Sequence, residues 1–396
     1  MPMPLAVSGV DDDASLEVPL RVAKSSANDP ELAAQYLASQ LLNPYLEGVL
    51  FFCSAEYDLS ALAAALEAHL GGVKLCGCTT AGELGVDGYS RGSIVAVGFD
   101  RRAFALDYRL IHELDAFTLL DAQRITDQLM DHCVRSGVAP LKGHTFAMTL
   151  LDGLSACEEQ VLLTLTSVLA GIPHFGGSAG DDNRLTGTHV YGEGAFHDQA
   201  AVVLMVNTEL DFEVFSTHHL RPREEKLVVT AADRERRKVF ELNAEPAALE
   251  YARLVGCPVE ALGPEVFARH PLAVKLHDQT YVRAIQGVNP DLSLNFYCAV
   301  ETGIVMTAMQ GTDLLEDLTR EIDTIVERLG PAECILGCDC FLRRLEIEQA
   351  GLQPAARELY RRQRILGFNT YGEHCNGLHL NQTFSGVFIG RSRRDL

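Results

Sequence analysis

Gly77-Cys-Thr-Thr-Ala-Gly-Glu83 joins an apolar segment to a turn, and the stretches on either side of it decide the fold. Before it, Gly48-Val-Leu-Phe-Phe52 reads as a buried strand, Asp58 to Leu70 as an Ala/Leu-rich helix capped by Asp58, and Val73 to Gly77 as a second strand. After it come a turn and the apolar strand Ser93 to Phe99. The same order recurs twice. In the second copy Thr145 to Leu151 is the strand, Ser155 to Leu169 the helix, Ser178-Ala179-Gly180-Asp181 the loop and Ala200 to Val206 the exit strand. In the third, Cys334 to Gly337 begins the unit, Pro354 to Arg364 is the helix, Thr370-Tyr371-Gly372-Glu373 the loop and Phe384 to Gly390 the exit. Roughly thirty residues separate first strand from loop, the length of a β-α-β crossover. The sequence therefore predicts an α/β (α+β) fold of repeated β-α-β-loop-β units, with mixed sheets flanked by helices.

Between the second and third copies, Lys226 to Thr230 reads as a strand and Glu245 to Leu254 as a helix with Pro246 near its first turn, ended by Gly256. Tyr281 to Ile285 and Ser293 to Val300 read as antiparallel strands around Asn289-Pro290-Asp291. Leu220 to Glu225, with Pro222 and mixed charges, marks a boundary between two domains, 21–220 holding two units and 226–396 holding one. Residues 1–20 are expected to be a loose tail.

The 396 residues carry 33 Lys and Arg against 54 Asp and Glu, a net charge of −21, with 47% hydrophobic residues. That charge opposes phosphate-backbone binding and adsorption to an anionic membrane, so neither nucleic acid nor membrane is expected as a partner. The longest apolar runs, such as Ala200 to Val206, are strand-sized, and Met1 to Val10 has no basic flank of a signal peptide. A soluble, cytoplasmic protein is expected, and the 11 scattered cysteines suit reduced thiols.

Loops at strand ends are where ligands bind on α/β scaffolds, and a loop Gly permits close backbone approach. Candidate ligand-binding residues are Thr80, Gly82 and Glu83; Gly177, Ser178, Gly180, Asp181 and Asp182; Thr370, Tyr371 and Glu373; and Asn381 downstream. Either each hydroxyl and acid caps its own turn, or the three loops line a pocket; the triplication favours the pocket. Gly176-Gly-Ser-Ala-Gly180 matches the G-x-S-x-G nucleophile elbow, yet Asp181-Asp-Asn183 follows where the elbow needs a helix, so Ser178 reads as a pocket wall. Cys76/Cys78 and Cys338/Cys340 read as small buried apolar groups, and Cys375 beside His374 as the thiol to watch for redox chemistry. No C-x-x-C-H stretch is present to attach a haem covalently.

With these motifs in place, the chain resembles the FIST family, whose N- and C-terminal domains form a bacterial sensory input module. The resemblance rests on Gly77-Cys-Thr-Thr-Ala-Gly-Glu83, Gly176-Gly-Ser-Ala-Gly-Asp-Asp182, Gly367-Phe-Asn-Thr-Tyr-Gly-Glu373 and Asn381-Gln-Thr383, and runs from about Arg21 to Gly390. It implies a small ligand, amino acids among the candidates, and a role in signal transduction. Phe51 to Asp58, Asp152 to Glu159, Lys226 to Thr230 and Ile335 to Cys340 resemble the nitric-oxide-sensing, haem-containing branch. That branch implies a haem b held by a histidine, with His219, His270 and His379 as candidate axial ligands. It also implies a histidine kinase, or a diguanylate cyclase or phosphodiesterase, acting in trans. The competing expectations are a hydrolase using Ser178 and a purely structural interaction protein.

Overall fold

The computed structural model describes residues 19–276 and 279–391, so the expected tail lies outside the described residues apart from Pro19 and Leu20. The first unit runs β1 (Leu20–Ser25), α1 (Pro30–Leu41), β2 (Leu46–Ser54), α2 (Leu59–Leu70), β3 (Lys74–Thr80), a short hairpin β4 (Glu83–Gly85) and β5 (Gly88–Ser90), then β6 (Ile94–Asp100). The second repeats the order with β7 (Phe104–Ile111), α3 (Leu119–Ser136), β8 (Thr145–Leu151), α4 (Glu158–Val168), β9 (His174–Ser178), a hairpin β10 (Val190–Gly192) and β11 (Ala195–His197), and β12 (Ala201–Thr208). The third opens with β13 (Phe212–Thr217) and is then interrupted.

The interruption is β14 (Leu220–Asp233), β15 (Lys238–Leu242), β16 (Glu245–Pro246), α5 (Ala247–Val255), α6 (Pro264–Arg269), β17 (Leu272–Leu276), β18 (Gln279–Arg283), β19 (Ile285–Val288), β20 (Leu294–Phe296) and β21 (Val305–Gly311). The third unit then resumes with α7 (Leu314–Leu329), β22 (Ala332–Cys340), α8 (Phe341–Gln349), α9 (Gln353–Gln363), β23 (Ile365–Thr370), the hairpin β24 (Glu373–Cys375) and β25 (Leu378–Leu380), and β26 (Phe384–Gly390).

Local chemistry sets these elements. Asp29, Asp58 and Asp313 cap α1, α2 and α7 by accepting backbone N–H bonds, and Thr118 with Asp121 forms a capping box on α3. β2, β8, β12, β22, β23 and β26 are buried on both faces almost throughout, which is why they read as continuous apolar runs.

Each unit contributes four strands to its own sheet, in the orders β1-β6-β2-β3, β7-β12-β8-β9 and β13-β26-β22-β23, and only the pairs β2/β3, β8/β9 and β22/β23 are parallel. The hairpins do not stay at home. β4–β5 extends the third sheet by pairing with β23, β10–β11 extends the first by pairing with β3, and β24–β25 extends the second by pairing with β9. The exchange is cyclic, so the three units close into a ring. Their inner faces share one core containing Phe52, Leu150, Leu204, Phe368 and Val387, with Phe52 stacked on Phe368 at 4.6 Å. Helices cover the outer faces.

The residues between β13 and α7 make a separate sheet of order β18-β17-β21-β14-β15-β20-β19 with its own core around Tyr251 and Phe267. The stretch taken as a domain boundary, Leu220 to Glu225, is the start of the 14-residue strand β14. Ring residues therefore lie on both sides of it. Asn289 to Leu292 does form a turn, but between β19 and β20; Tyr281 belongs to β18, which pairs with β17.

Candidate functional site

The three loops follow the carboxyl ends of the parallel pairs and meet where the units touch. Ala81 N donates to Asn369 O at 2.9 Å, Gly180 N to Thr79 O at 3.1 Å and Ser178 N to Gly372 O at 2.8 Å, so each loop is hydrogen-bonded to a neighbour. The loop glycines are required by close approach: a Cβ on Gly82 would strike the Arg344 guanidinium, on Gly180 the Ala81 backbone, and on Gly372 the His379 ring. A positive φ, 141°, occurs among these three only at Gly82.

Loops one and three carry the same carboxylate latch. Glu83 accepts from Thr80 Oγ1 at 2.6 Å on one oxygen, and from Ser93 N at 3.2 Å and Ser93 Oγ at 2.7 Å on the other. Glu373 accepts from Thr370 Oγ1, and from Thr383 N at 3.0 Å and Thr383 Oγ1 at 2.9 Å. Both are fully buried; burial pushes Glu83 up to about 7 and Glu373 up to about 8, against the pull of the hydroxyl donors. The second loop differs. Burial opposes the Asp181 charge, yet Tyr371 Oη and the N–H groups of Leu185, Thr186 and Gly187 donate to it and hold it below the usual carboxylate range. Asp182 takes a 2.7 Å bond from Arg344, whose guanidinium also reaches Ala81 O. Gly177 packs against the Thr370 methyl group.

Ser178 Oγ lies 3.1 Å from His374 Nε2, and Thr149 Oγ1 lies 2.9 Å from His374 Nδ1. All three are completely buried, and burial, then His379, drives the His374 pKa far down. No helix follows Ser178. The group is a neutral hydrogen-bonded chain with a hydroxyl where a triad would hold a carboxylate.

Glu159 receives His379 Nδ1 at 3.2 Å, Ala299 N at 2.9 Å and Arg237 at 2.5 Å, while Glu158 receives Arg237 at 2.6 Å. Ligand atoms of Glu158, Glu159 and His379 lie within 4.8 Å of one another, but Arg237 already supplies their positive charge. The cluster clamps the inserted sheet to α4 and to β25.

Two cavities sit beside the latches. One of about 210 Å³ is lined by Asn28, Ser54, Glu56, Tyr57 and Gly92, next to the Ser93 that latches Glu83. The other, of about 230 Å³, includes Thr383, which latches Glu373, together with Ser216 of β13 and His218 just after it, Cys375, Asn376, Leu378 and Leu380 of the hairpin, Asn381, and Thr280 to Val282 of β18. Its walls thus belong to three different sheets. Asn381 accepts from Ala284 N at 3.2 Å, tying the insertion to the ring.

Of the predicted ligand-binding residues, Asn381 lines this cavity; the others build the loop junction behind it. Sequence reasoning missed Ser93 and Thr383, though each stands ten residues after its glutamate, and it missed His374 and Arg344. Cys375 is corrected: burial pushes its thiol up to about 11, so it is not an activated thiolate. Cys76, Cys78, Cys338 and Cys340 are buried as expected.

Family models match over most of the chain: the FIST N domain over residues 48–245 and the FIST C domain over residues 247–376. The chain belongs to the FIST family. No curated protein matches it. Among solved structures it is similar to a cyanuric acid hydrolase from A. caulinodans, with TM-score 0.30, 10% identity and coverage of 50% of this chain and 71% of that one. A second cyanuric acid hydrolase structure, described as an innovation by structural concatenation, gives TM-score 0.35 and 10% identity over 94% of this chain and 99% of that one.

Of the three histidines suggested for a haem in this FIST chain, His219 and His379 do not fit that role. His219 has both ring nitrogens engaged, Nδ1 with Arg343 at 3.1 Å and Nε2 with Glu346 at 2.8 Å. His379 Nε2 finds no hydrogen-bond partner among the described residues but packs directly against Gly372, leaving no room for iron. His270 is partly exposed after α6 and lines neither cavity. Among the described residues no helix is long and apolar enough to cross a membrane.

Proposed function

We propose that this FIST protein is a sensor of a small ligand of amino-acid size, bound in the cavity beside Glu373, with no catalytic step of its own. One observation carries the reading: the cavity of about 230 Å³ is walled by the third sheet, by the exchanged hairpin of the second and by the inserted sheet. A ligand there bridges parts that no strand ladder joins, so it favours one arrangement of insertion and ring. It can shift that equilibrium only by its differential affinity for the two arrangements. The signal passes in trans to a histidine kinase or a diguanylate cyclase or phosphodiesterase.

The test is the melting temperature with each of the amino acids. A ligand at a hundred times its Kd stabilises by about 2.7 kcal/mol, and Thr280→Trp, which fills the cavity from a half-buried position, removes that shift. A panel without a stabilising member, or a shift retained in Thr280→Trp, overturns the reading.

A haem-based response to nitric oxide is the finer form implied by the resemblance, and it requires an axial histidine other than His219 and His379. Its signature is a Soret band in protein from haem-replete cells, shifted by nitric oxide. The Ser178–His374 contact supports a second reading, a small-molecule hydrolase. Esterase activity lost in Ser178→Ala is the result that favours it.

A further inference from the structure

The cavity beside Glu373 carries a chemical preference of its own. Among the described residues that line it none is Lys, Arg, Asp or Glu. The groups that could ionise near pH 7 are held neutral. Burial, then His219, lowers the His218 pKa; burial pushes the Cys375 thiol up to about 11 and Glu373, behind Thr383, up to about 8. Apolar surface comes from Val282 of β18 and from Leu378 and Leu380 of β25, with Val282 and Leu380 buried and Leu378 45% exposed. Two donors stand together at the end of β13. Ser216 and His218 are two residues apart in extended chain, so their side chains share a side. Ser216 Oγ accepts from Ser385 Oγ at 2.9 Å, which leaves its own proton to give. His218 Nδ1 accepts from Leu220 N at 3.3 Å, which puts the proton of the neutral ring on Nε2, and that N–H has no partner among the described residues. Asn381 Oδ1 takes one bond, from Ala284 N, of the two it can accept.

We infer that the ligand is an α-amino acid with an uncharged aliphatic side chain, of the leucine class. Ser216 and His218 donate to its carboxylate, Asn381 Oδ1 accepts from its ammonium, and Val282, Leu378 and Leu380 cover its side chain. An ionised side chain would bury its charge against a neutral lining, and one as short as that of alanine would leave Leu378 and Leu380 uncovered. The inference rests on the sensor reading of the same cavity and names its ligand class and its specificity residues.

Calorimetric titration of the full chain at pH 7 with a panel of amino acids, and with leucinol, which lacks the carboxylate, tests this. One leucine per chain is expected, with alanine at least about tenfold weaker and aspartate and lysine at least about a hundredfold weaker. His218→Phe should weaken leucine at least about tenfold and leave leucinol unchanged, whereas a merely structural role would weaken both alike. Leu378→Lys, at an exposed position, should weaken leucine at least about tenfold while melting like the parent. Aspartate or lysine bound as tightly as leucine, leucine affinity unchanged in either variant, or equal losses of leucine and leucinol in His218→Phe overturns the inference and leaves the sensor reading standing. No saturable binding by any amino acid of the panel overturns both.

Discussion

Glu83 and Glu373 are buried acids whose neutral form the fold favours, and this fixes the sign of a pH effect. Their pKa values in the folded chain, about 7 and about 8, lie above the ordinary glutamate value, so the folded state holds extra protons between that value and those limits. Their contribution to stability is complete below the unfolded pKa and is lost as pH rises through about 7 and about 8. The urea midpoint of the parent should therefore fall more between about pH 5.5 and about pH 8.5 than that of Glu83→Gln/Glu373→Gln. Equal slopes would contradict the assignment. Close approach supplies a second prediction at this scale. Gly372→Ala should destabilise by about 1–3 kcal/mol, because a methyl group there forces His379 away from Glu159; a calorimetric melt checks it. The loop residues themselves were readable from their triplication. Their role was not: whether a buried Glu faces a ligand or its own Thr and Ser depends on Ser93 and Thr383, each one residue ahead of the following strand.

The elements divide in the same way. Apolar strand runs, the Asp58 cap and the Gly256 stop announced themselves locally, and the structure has them in place. The hairpin exchange did not. β4 and β5 are three residues each, too short for periodicity, and their partner β23 lies more than two hundred residues away in sequence. The insertion escaped for a related reason: β13 pairs with β26, across the whole inserted sheet, so nothing local tells that 212–217 opens a unit completed after 313. The Asn381 side chain fastens that insertion at Ala284, next to Gln382, which donates to Ala268 O. In Asn381→Ala the Ala284 amide should exchange with deuterium faster while amides of β12 in the ring keep their protection. Unchanged exchange at Ala284 would show that the insertion is held elsewhere, with the Arg237 clamp as the alternative.

For the whole molecule, cyclic exchange means that no third of the ring is complete alone. A fragment of residues 1–220 would retain β9 without β24 and leave β4–β5 without β23, two open edges on exposed apolar surface. It should lack the cooperative thermal transition of the full chain, and a sharp independent melt of the fragment would contradict the ring as the folding unit. The same connectivity lets a small ligand act widely, since the cavity beside Glu373 touches two ring sheets and the insertion at once. Hydrogen–deuterium exchange of the full chain, with and without the amino acid that raises its melting temperature most, puts this most directly to the test. The expected result is increased protection in three separated segments, 214–218, 280–284 and 373–383. Protection confined to one of them, or appearing only at sites away from all three, would contradict a ligand held between insertion and ring.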